Sequence, residues 1–487
     1  MPMLSTVLSV ISVVFTLNVV LAAIVVFFER RSPSSTWAWL FVLFFIPIIG
    51  FIIYLIFGRY TGKKKAFGPK IIRDMETLDG FVRNRDEIRE EVEEQYFSND
   101  GIRLGRTYRH LLDFAALNLK SGGWLTYRNK MEYFTDGTKK FESLINDIRN
   151  AEKFIHMEYY ILRGDDLGRK IVYELAQKAK EGVEVRLMYD FMGNFNLPKN
   201  FFDDLKDAGG MVCAFTPSFF IRLNYRNHRK IAVIDGHIGY VGGFNIGNEY
   251  LGKVKRFGYW RDTHARFEGD IVDQLQLRFM MDWNFCFESK FYVDDYYYPK
   301  KRVVNYFPAQ IVSSGPDTKW HNIRNSYFKM INEAEKNIYI ETPYFSPDDG
   351  IQEALKVAAL SGIDVRIIIP AHPDHLFVYW ASMYYLGELL EAGVRCYQYE
   401  TGFIHSKTIF VDGLVGTIGT ANMDIRSYAL NFEVNAFIFD EKTVNSLEGE
   451  FINDLKECTE ITYEEYMKRG KMFKLRESVS RLISPML

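Results

Sequence analysis

Asn227–Gly236 reads NHRKIAVIDG, and Ile404–Gly413 reads IHSKTIFVDG. Each stretch carries His, then Lys two positions on, then Asp directly before a glycine, all threaded through an apolar run. Side chains alternate along a strand with a period of two, so His228 and Lys230 share one face, as do His405 and Lys407. Asp235 and Asp412 each end the run where Asp-Gly predicts a tight turn. Beyond the turn comes Gly242, Gly243 and Asn245 in the first copy, and Gly419, Thr420 and Asn422 in the second. One such triplet arises readily by chance in a long chain. Two, equivalently placed and each followed by the same Gly-x-x-Asn, do not.

The flanking sequence repeats as well, and a repeat decides the fold before any single element does. AEKFIHMEYYIL from Ala151 matches AEKNIYIETPYF from Ala334, GVEVRLMYD from Gly182 matches GIDVRIIIP from Gly362, and DAGGMVC from Asp207 resembles EAGVRC from Glu391. With the histidines, the offsets are 183, 180, 184 and 177 residues, a duplicated unit with loop differences. Within each copy, apolar strand runs alternate with helical stretches such as GRKIVYELAQKAKEG and GIQEALKVAALSG. That alternation predicts α/β units around a largely buried sheet. Two similar α/β domains related by a pseudo-two-fold axis are expected, with YYYPKKRVVNYFP near residues 296–308 as the crossover. The expected division is residues 1–60, 61–125, 126–295 and 296–487: an N-terminal hairpin, a juxtamembrane connector, a first half and a second half with a helical tail. A surface helix of the catalytic domain is an equal alternative for the connector.

The N-terminal hairpin is apolar. No residue from Met3 to Phe28 is charged, nor any from Ser32 to Gly58. Either run exceeds the ~20 residues that cross a bilayer as a helix. ERRSPSS between them reads as a turn, so a two-helix transmembrane hairpin is predicted. Arg59, Lys63, Lys64, Lys65 and Lys70 follow the second run, which by the positive-inside rule places the remainder in the cytoplasm; these cations are also expected against anionic headgroups. The four cysteines have no metal-ligand spacing and read as reduced thiols. Sixty basic against 62 acidic residues leave a net charge of -2, and so no global field for nucleic acid.

The paired triplets resemble those of the phospholipase D superfamily, whose mark is two His-Lys-Asp motifs. Within it, NYRNHRKIAVIDGHIGYVGGFNIGNEY, YWRDTHARFEG and the N-terminal WAWL are similar to the bacterial cardiolipin synthase subgroup. The superfamily resemblance covers about residues 125–487, the subgroup resemblance the whole chain, and neither motif departs from the pattern. It implies two tandem phospholipase D-like domains and a membrane enzyme that moves a phosphatidyl group from one phosphatidylglycerol to another, giving cardiolipin and glycerol. It implies His228 as nucleophile, forming a phosphohistidine, and His405 as acid and base. Acidic residues of the family orient the imidazoles; Asp262, downstream of His228, and Glu433, downstream of His405, stand at those places.

The residues themselves support that chemistry. A phosphodiester gains negative charge on its equatorial oxygens under attack. Lys230 and Lys407 bring cations, Asn245 and Asn422 amide donors, and the backbone around Gly243 and Thr420 further N–H groups. Two imidazoles on opposite sides of one phosphorus supply a nucleophile and a proton shuttle. No metal or other cofactor is expected. Asp235 and Asp412 read as holding the turn and the lysine rather than touching substrate. Glu158 and Glu341, equivalent in the repeat, either line the site, pair with the lysines or form structural ion pairs. His156, His237, His264, His372 and His375 lack metal spacing and read as structural. HPDHLFVYWASMYYLGELL reads as core, with an acyl-chain contact as the alternative. Phe215, Phe219 and Phe220 are expected to dip into lipid. ESVSRLISPML has amphipathic character and docks either on the membrane or on the domain.

Three other functions share these features. A phospholipase D hydrolase uses the same residues and differs only in acceptor. A nuclease of the superfamily fits the motifs but not the hairpin or the near-neutral charge. A silent scaffold would have lost part of a triplet, and none is lost.

Overall fold

A computed structural model describes residues 2–27, 33–46, 49–50, 54, 60–83, 114, 117–119, 122–215, 224–287, 294–300, 303 and 305–484. The first half supplies β1 (Thr126–Asp136), β2 (Phe154–Tyr159), β3 (Glu184–Asp190), β4 (Met211–Phe215), β5 (Lys230–Ile234), β6 (Ile238–Gly242) and β7 (Tyr259–Gly269). The second supplies β8 (Tyr306–Ser314), β9 (Asn337–Glu341), β10 (Phe345–Ser346), β11 (Asp364–Pro370), β12 (Arg395–Tyr399), β13 (Gly402–Ile404), β14 (Thr408–Val411), β15 (Val415–Gly419), β16 (Met423–Asp424), β17 (Glu433–Ile438) and β18 (Cys458–Ile461).

Both halves belong to one sheet, ordered β4-β3-β2-β5-β6-β7-β1-β8-β17-β15-β14-β9-β11-β12-β18. The first seven strands, read backwards, correspond one by one to the seven that follow. The pseudo-two-fold axis therefore passes between β1 and β8, which pair antiparallel with Thr126 opposite Ala309. In each half three strands are parallel (β2, β3, β4 and β9, β11, β12) and the motif strands join antiparallel. A parallel pair needs a covering helix as its crossover. Asp166–Lys180 serves β2 and β3, and Asp349–Leu360 serves β9 and β11, each started by an Asp whose carboxylate accepts N-terminal N–H groups. Both motif strands, β5 and β14, are buried along their whole length. Their near-continuous apolar composition follows from being covered on both faces.

At the N-terminus, helix Pro2–Phe27 carries no charged residue and helix Pro33–Phe45 stops after 13 residues. They contact one another, with the Asn18 amide donating to the Leu43 carbonyl at 3.0 Å. Among the described residues no helix is long and apolar enough to cross a membrane.

Helix Tyr60–Arg83 does more than connect. Phe67 and Phe81 are fully buried against both halves, in a cluster with Trp124, Trp283 and, from the second half, Phe432. Lys70, expected on a basic collar, is instead buried, with its ammonium 2.6 Å from Asp74, 3.0 Å from Asp282 and 2.8 Å from Asp317. Burial and Arg278 alone would lower its pKa, but these carboxylates outweigh them and hold it above the ordinary lysine value. It does not reach a headgroup.

Phe215 also departs from expectation. It ends β4 inside the same cluster, packed on Phe285 and Phe432. Phe219 and Phe220 lie outside the described residues, as does Arg59. The C-terminal helix, Lys471–Ile483, docks on the domain along helix Leu376–Glu391, with the Tyr385 and Ser484 hydroxyls 3.2 Å apart.

Candidate active site

Each motif strand ends in a two-residue turn. Asp235 and Gly236 have φ of 52° and 66°, and Asp412 and Gly413 have 59° and 70°. Positive φ at both central residues is the hairpin turn that Asp-Gly favours. The Asp235 carboxylate accepts backbone N–H groups from Glu152, Lys153 and Phe154 at 2.7–2.9 Å. Asp412 does the same for Glu335, Lys336 and Asn337 at 2.7–2.9 Å. The repeated Ala-Glu-Lys is thus the partner of the motif Asp. These aspartates tie the turn to the start of β2 or β9, at the end of the motif strand away from its histidine. They hold the turn, as the sequence predicts, but neither touch their lysines nor line the cavity.

At the other end of each strand the halves cross. The His228 N–H donates to the Phe432 carbonyl at 3.0 Å, and the Phe432 N–H to the Arg226 carbonyl at 2.8 Å. β13 pairs with β7, and the His405 N–H donates to the Arg261 carbonyl at 2.7 Å. These bridges set each histidine beside the acid that follows the partner strand's bridging residue. His228 Nδ1 lies 3.0 Å from both oxygens of Glu433, and His405 Nδ1 lies 2.7 Å from Asp262. The sequence order had placed Asp262 with His228 and Glu433 with His405; the structure exchanges them. Both carboxylates are fully buried, and neither is the surface ion pair that Arg261 next to Asp262 allows. Arg261 turns to Asp454 instead, at 2.8 Å.

With Nδ1–H committed to a carboxylate, each imidazole presents Nε2 to the space between the halves. That space is a cavity of about 430 Å³ lined by His228, His405, Asn245 and Asn422. Tyr160 meets the His228 ring edge-on at 4.8 Å, and Trp260 lies 5.1 Å from the His405 ring. Asn245 is held by accepting the Ile161 N–H at 3.1 Å. The buried Asn422 Oδ1 has no hydrogen-bond partner. Lys230 and Lys407 sit behind the histidines, each ammonium donating to the carbonyl of its own motif histidine, for Lys230 at 2.6 Å. Gly243 and Thr420 also lie behind the cavity. A Cβ at Gly243 would fall 1.9 Å from Asp262 Oδ1, so glycine there makes room for that carboxylate. The Thr420 hydroxyl donates to Glu433 at 2.5 Å. Their side-chain positions serve the orienting acids rather than a phosphate.

The electrostatics follow from burial. It pushes both imidazoles down to about 4, beyond what Glu433 and Asp262 restore. It brings Lys230 down to about 7 and Lys407 to about 8. Burial opposes ionisation of Glu433 and Asp262 too, but His228 and Lys230 for the one, Lys407 and His405 for the other, hold both below the usual carboxylate values. At neutral pH the site holds uncharged imidazoles with a free Nε2 lone pair. An anion in the cavity would favour the charged forms of these lysines and imidazoles.

Glu158 and Glu341 neither line the cavity nor pair with the lysines. Glu158 accepts from the Asn227 amide beside His228, and Glu341 accepts from Thr408 at 2.9 Å. His156 is a core residue stacked between Phe154 and Phe279. Among the described residues no group of three His, Cys, Asp or Glu is placed to hold a metal ion. The sequence reading missed Arg163, Arg226, Arg256 and Arg426, which line the cavity together with Glu249, Asp374 and Asp424, and His375, which lines its rim. Arg226, two residues before His228, and Arg426, four after Asn422, were legible by proximity to the motifs.

The model of the family described as "Cardiolipin synthase, PLD-like domain" matches residues 144–283 and 327–455, and one described as "Phospholipase_D-nuclease N-terminal" matches residues 16–59. Cardiolipin synthase of Listeria monocytogenes serotype 4a is 48% identical over 482 residues, covering 98% of either chain. Cardiolipin synthase 2 of Staphylococcus epidermidis is 46% identical over 97% of this chain and 96% of its own. Among solved structures, phosphatidylserine synthase of Haemophilus influenzae shares the fold at 16% identity, with a TM-score of 0.62 over 79% of this chain and all of that one. With two motif histidines on one cavity and relatives this similar along nearly its whole length, the chain belongs to the cardiolipin synthase family of phospholipase D-like proteins.

Proposed function

We propose that this protein is a cardiolipin synthase that transfers a phosphatidyl group between two phosphatidylglycerol molecules through a phosphohistidine. The observation that carries the reading is the pair of neutral imidazoles on one cavity, each backed by a carboxylate from the opposite half. Nε2 of His228 attacks the phosphorus of the first lipid, forming P–N as the P–O bond to the headgroup glycerol breaks. With the phosphodiester anion bound beside it, His405 takes up a proton from solvent at Nε2 and gives it to the departing alkoxide, so releasing glycerol. It then takes the proton from a glycerol hydroxyl of the second lipid, whose oxygen attacks phosphorus and breaks P–N. Lys230, Lys407, Asn245 and Asn422 answer the charge that builds on phosphorus oxygens, and Arg226 and Arg426 on the cavity wall offer cations to the second anionic lipid.

The uncharged runs 3–28 and 32–58, the family match over residues 16–59 and the cations Lys63, Lys64 and Lys65 support a membrane hairpin with the catalytic halves on the cytoplasmic side. Held there, the site meets its second lipid at high effective concentration. The purified full chain in vesicles of phosphatidylglycerol should yield cardiolipin and glycerol, and added glycerol should drive the exchange backwards. If phosphatidic acid dominates at low glycerol, water is the acceptor and the hydrolase reading wins.

A further inference from the structure

The C-terminal helix is docked the wrong way round for a soluble protein. Lys471–Ile483 buries Glu477 and Ser480 against the domain. On an α-helix, 100° per residue sets Met472, Leu475, Val479 and Leu482 together on the side opposite Glu477 and Ser480. All four are solvent-exposed, Leu475 at 58% and Leu482 at 73% of full exposure. A surface helix ordinarily turns its apolar stripe inward. Here specific contacts fix the reverse. Glu477 is paired with Arg469, and Arg476 and Arg481 lie over the rings of Trp380 and Tyr384 at 5.2 and 4.8 Å.

We propose that this helix is an interfacial membrane-docking element, with its outward stripe seated among the headgroups and upper acyl chains of an anionic bilayer. Charge selects that occupant. The helix carries Lys471, Lys474, Arg476 and Arg481 against one acid, Glu477, which is buried and already paired. An apolar stripe with a basic surround is the pattern that lies in an anionic interface. Position relates it to the cavity. The docking helix runs along Leu376–Glu391, whose first residues Leu376 and Phe377 are themselves exposed at 58% and 51%, beside His375 and Val378 of the cavity rim. The two apolar patches lie on one packed pair of helices, so seating the stripe brings the rim to the surface where a two-chain lipid substrate resides. The inference rests on the proposed lipid chemistry for its purpose but not for its test.

The test uses the full chain in vesicles of phosphatidylglycerol and phosphatidylcholine, with a photoreactive benzoylphenylalanine at Val479 or Leu482. Tyr173, equally exposed on helix Asp166–Lys180 but without an apolar stripe, is the control. Irradiation should yield phospholipid adducts from positions 479 and 482 and none from 173. Adducts to a second copy of the chain, or no lipid adducts at either position, would overturn the proposal. Leu475→Ser with Leu482→Ser, exposed positions that leave the fold intact, should lower turnover in dilute phosphatidylglycerol vesicles about tenfold and leave turnover of detergent-dispersed lipid unchanged. Equal loss in both would point to a structural role and overturn it as well. Lipid adducts without cardiolipin formation would instead sink the reaction and leave the docking surface standing.

Discussion

Lys70→Met is the sharpest probe of how the segment before the catalytic halves is built in. The ammonium sits in a buried cluster of three cations, Lys70, Arg229 and Arg278, and three carboxylates, Asp74, Asp282 and Asp317. Arg278 reaches Asp74 at 2.9 Å and Asp282 at 3.1 Å, and Arg229 also pairs with Asp282. Glu158 nearby adds no charge at neutral pH, because burial and Asp282 raise it to about 8. The set is balanced, and removing Lys70 leaves one buried carboxylate without its cation. Truncating one side of a buried ion pair costs about 3–5 kcal/mol, a large part of a typical folding free energy. Asp317→Asn alone leaves the opposite imbalance. Combined with Lys70→Met it restores two against two, so the pair should be less destabilised than the sum by about 1–3 kcal/mol. Urea unfolding of the full chain in detergent, followed by tryptophan fluorescence, reads this; Trp124 and Trp283, two of the seven tryptophans, pack in the adjoining cluster. A Lys70→Met cost below about 1 kcal/mol, or strict additivity in the double variant, would refute the reasoning.

Glu433→Gln should disturb the tautomer of His228 and Asp262→Asn that of His405, each lowering kcat about 10²–10⁴-fold with the fold intact; nitrogen NMR of labelled imidazoles showing the reverse assignment would sink the crossed pairing. His228→Asn and His405→Asn should each abolish turnover, the double variant being no worse, and acid-quenched enzyme should carry labelled phosphate on residue 228. The pH profile of kcat/KM should hold from about 5 to about 7. Below that the imidazoles, depressed to about 4, take up protons; above it Lys230 and Lys407, at about 7 and 8, lose theirs. An acid limb near the ordinary histidine value of ~6.5 would contradict the burial argument. Turnover should survive EDTA, because lysines and amides supply the charge stabilisation; loss restored only by a divalent ion would count against it.

Most of the architecture was legible because it is periodic. A repeat, a two-residue alternation and an Asp-Gly turn are local patterns, and they fixed the duplicated α/β halves, the motif strands and the histidines. The crossed acids were not legible, since which carboxylate meets which imidazole depends on the bridges Asn227–Phe432 and Ile404–Arg261, far apart in sequence. Lys70 read as a collar because a lysine after an apolar run ordinarily stays in water, and its three carboxylates come from 4 to 247 residues away. Phe215 failed for the converse reason: an aromatic before a motif has the same sequence signature whether it fills a core or enters lipid. In the tail helix the amphipathic pattern was visible, but which face docks is decided by partners such as Arg469 and Trp380.

The crossing also explains why the two halves are fused through one sheet rather than left as beads on a linker. Each half alone would hold a histidine without its carboxylate and a carboxylate without its histidine. An in-line exchange at phosphorus needs both Nε2 atoms placed to within a fraction of an ångström, and misplacement of about 1 Å costs about 10²-fold. Side chains alone, spanning a seam between two mobile domains, would not hold that tolerance. The chain instead uses backbone ladders: β1 with β8 at the axis, β13 with β7 beside His405, and the Asn227–Phe432 bridge beside His228. The Thr263 and Ser406 hydroxyls, 2.8 Å apart, add a further tie across the seam. Any sliding of one half against the other would break both imidazole–carboxylate pairs together. The two dyads are therefore one unit, assembled by the same strand contacts that make the fold continuous.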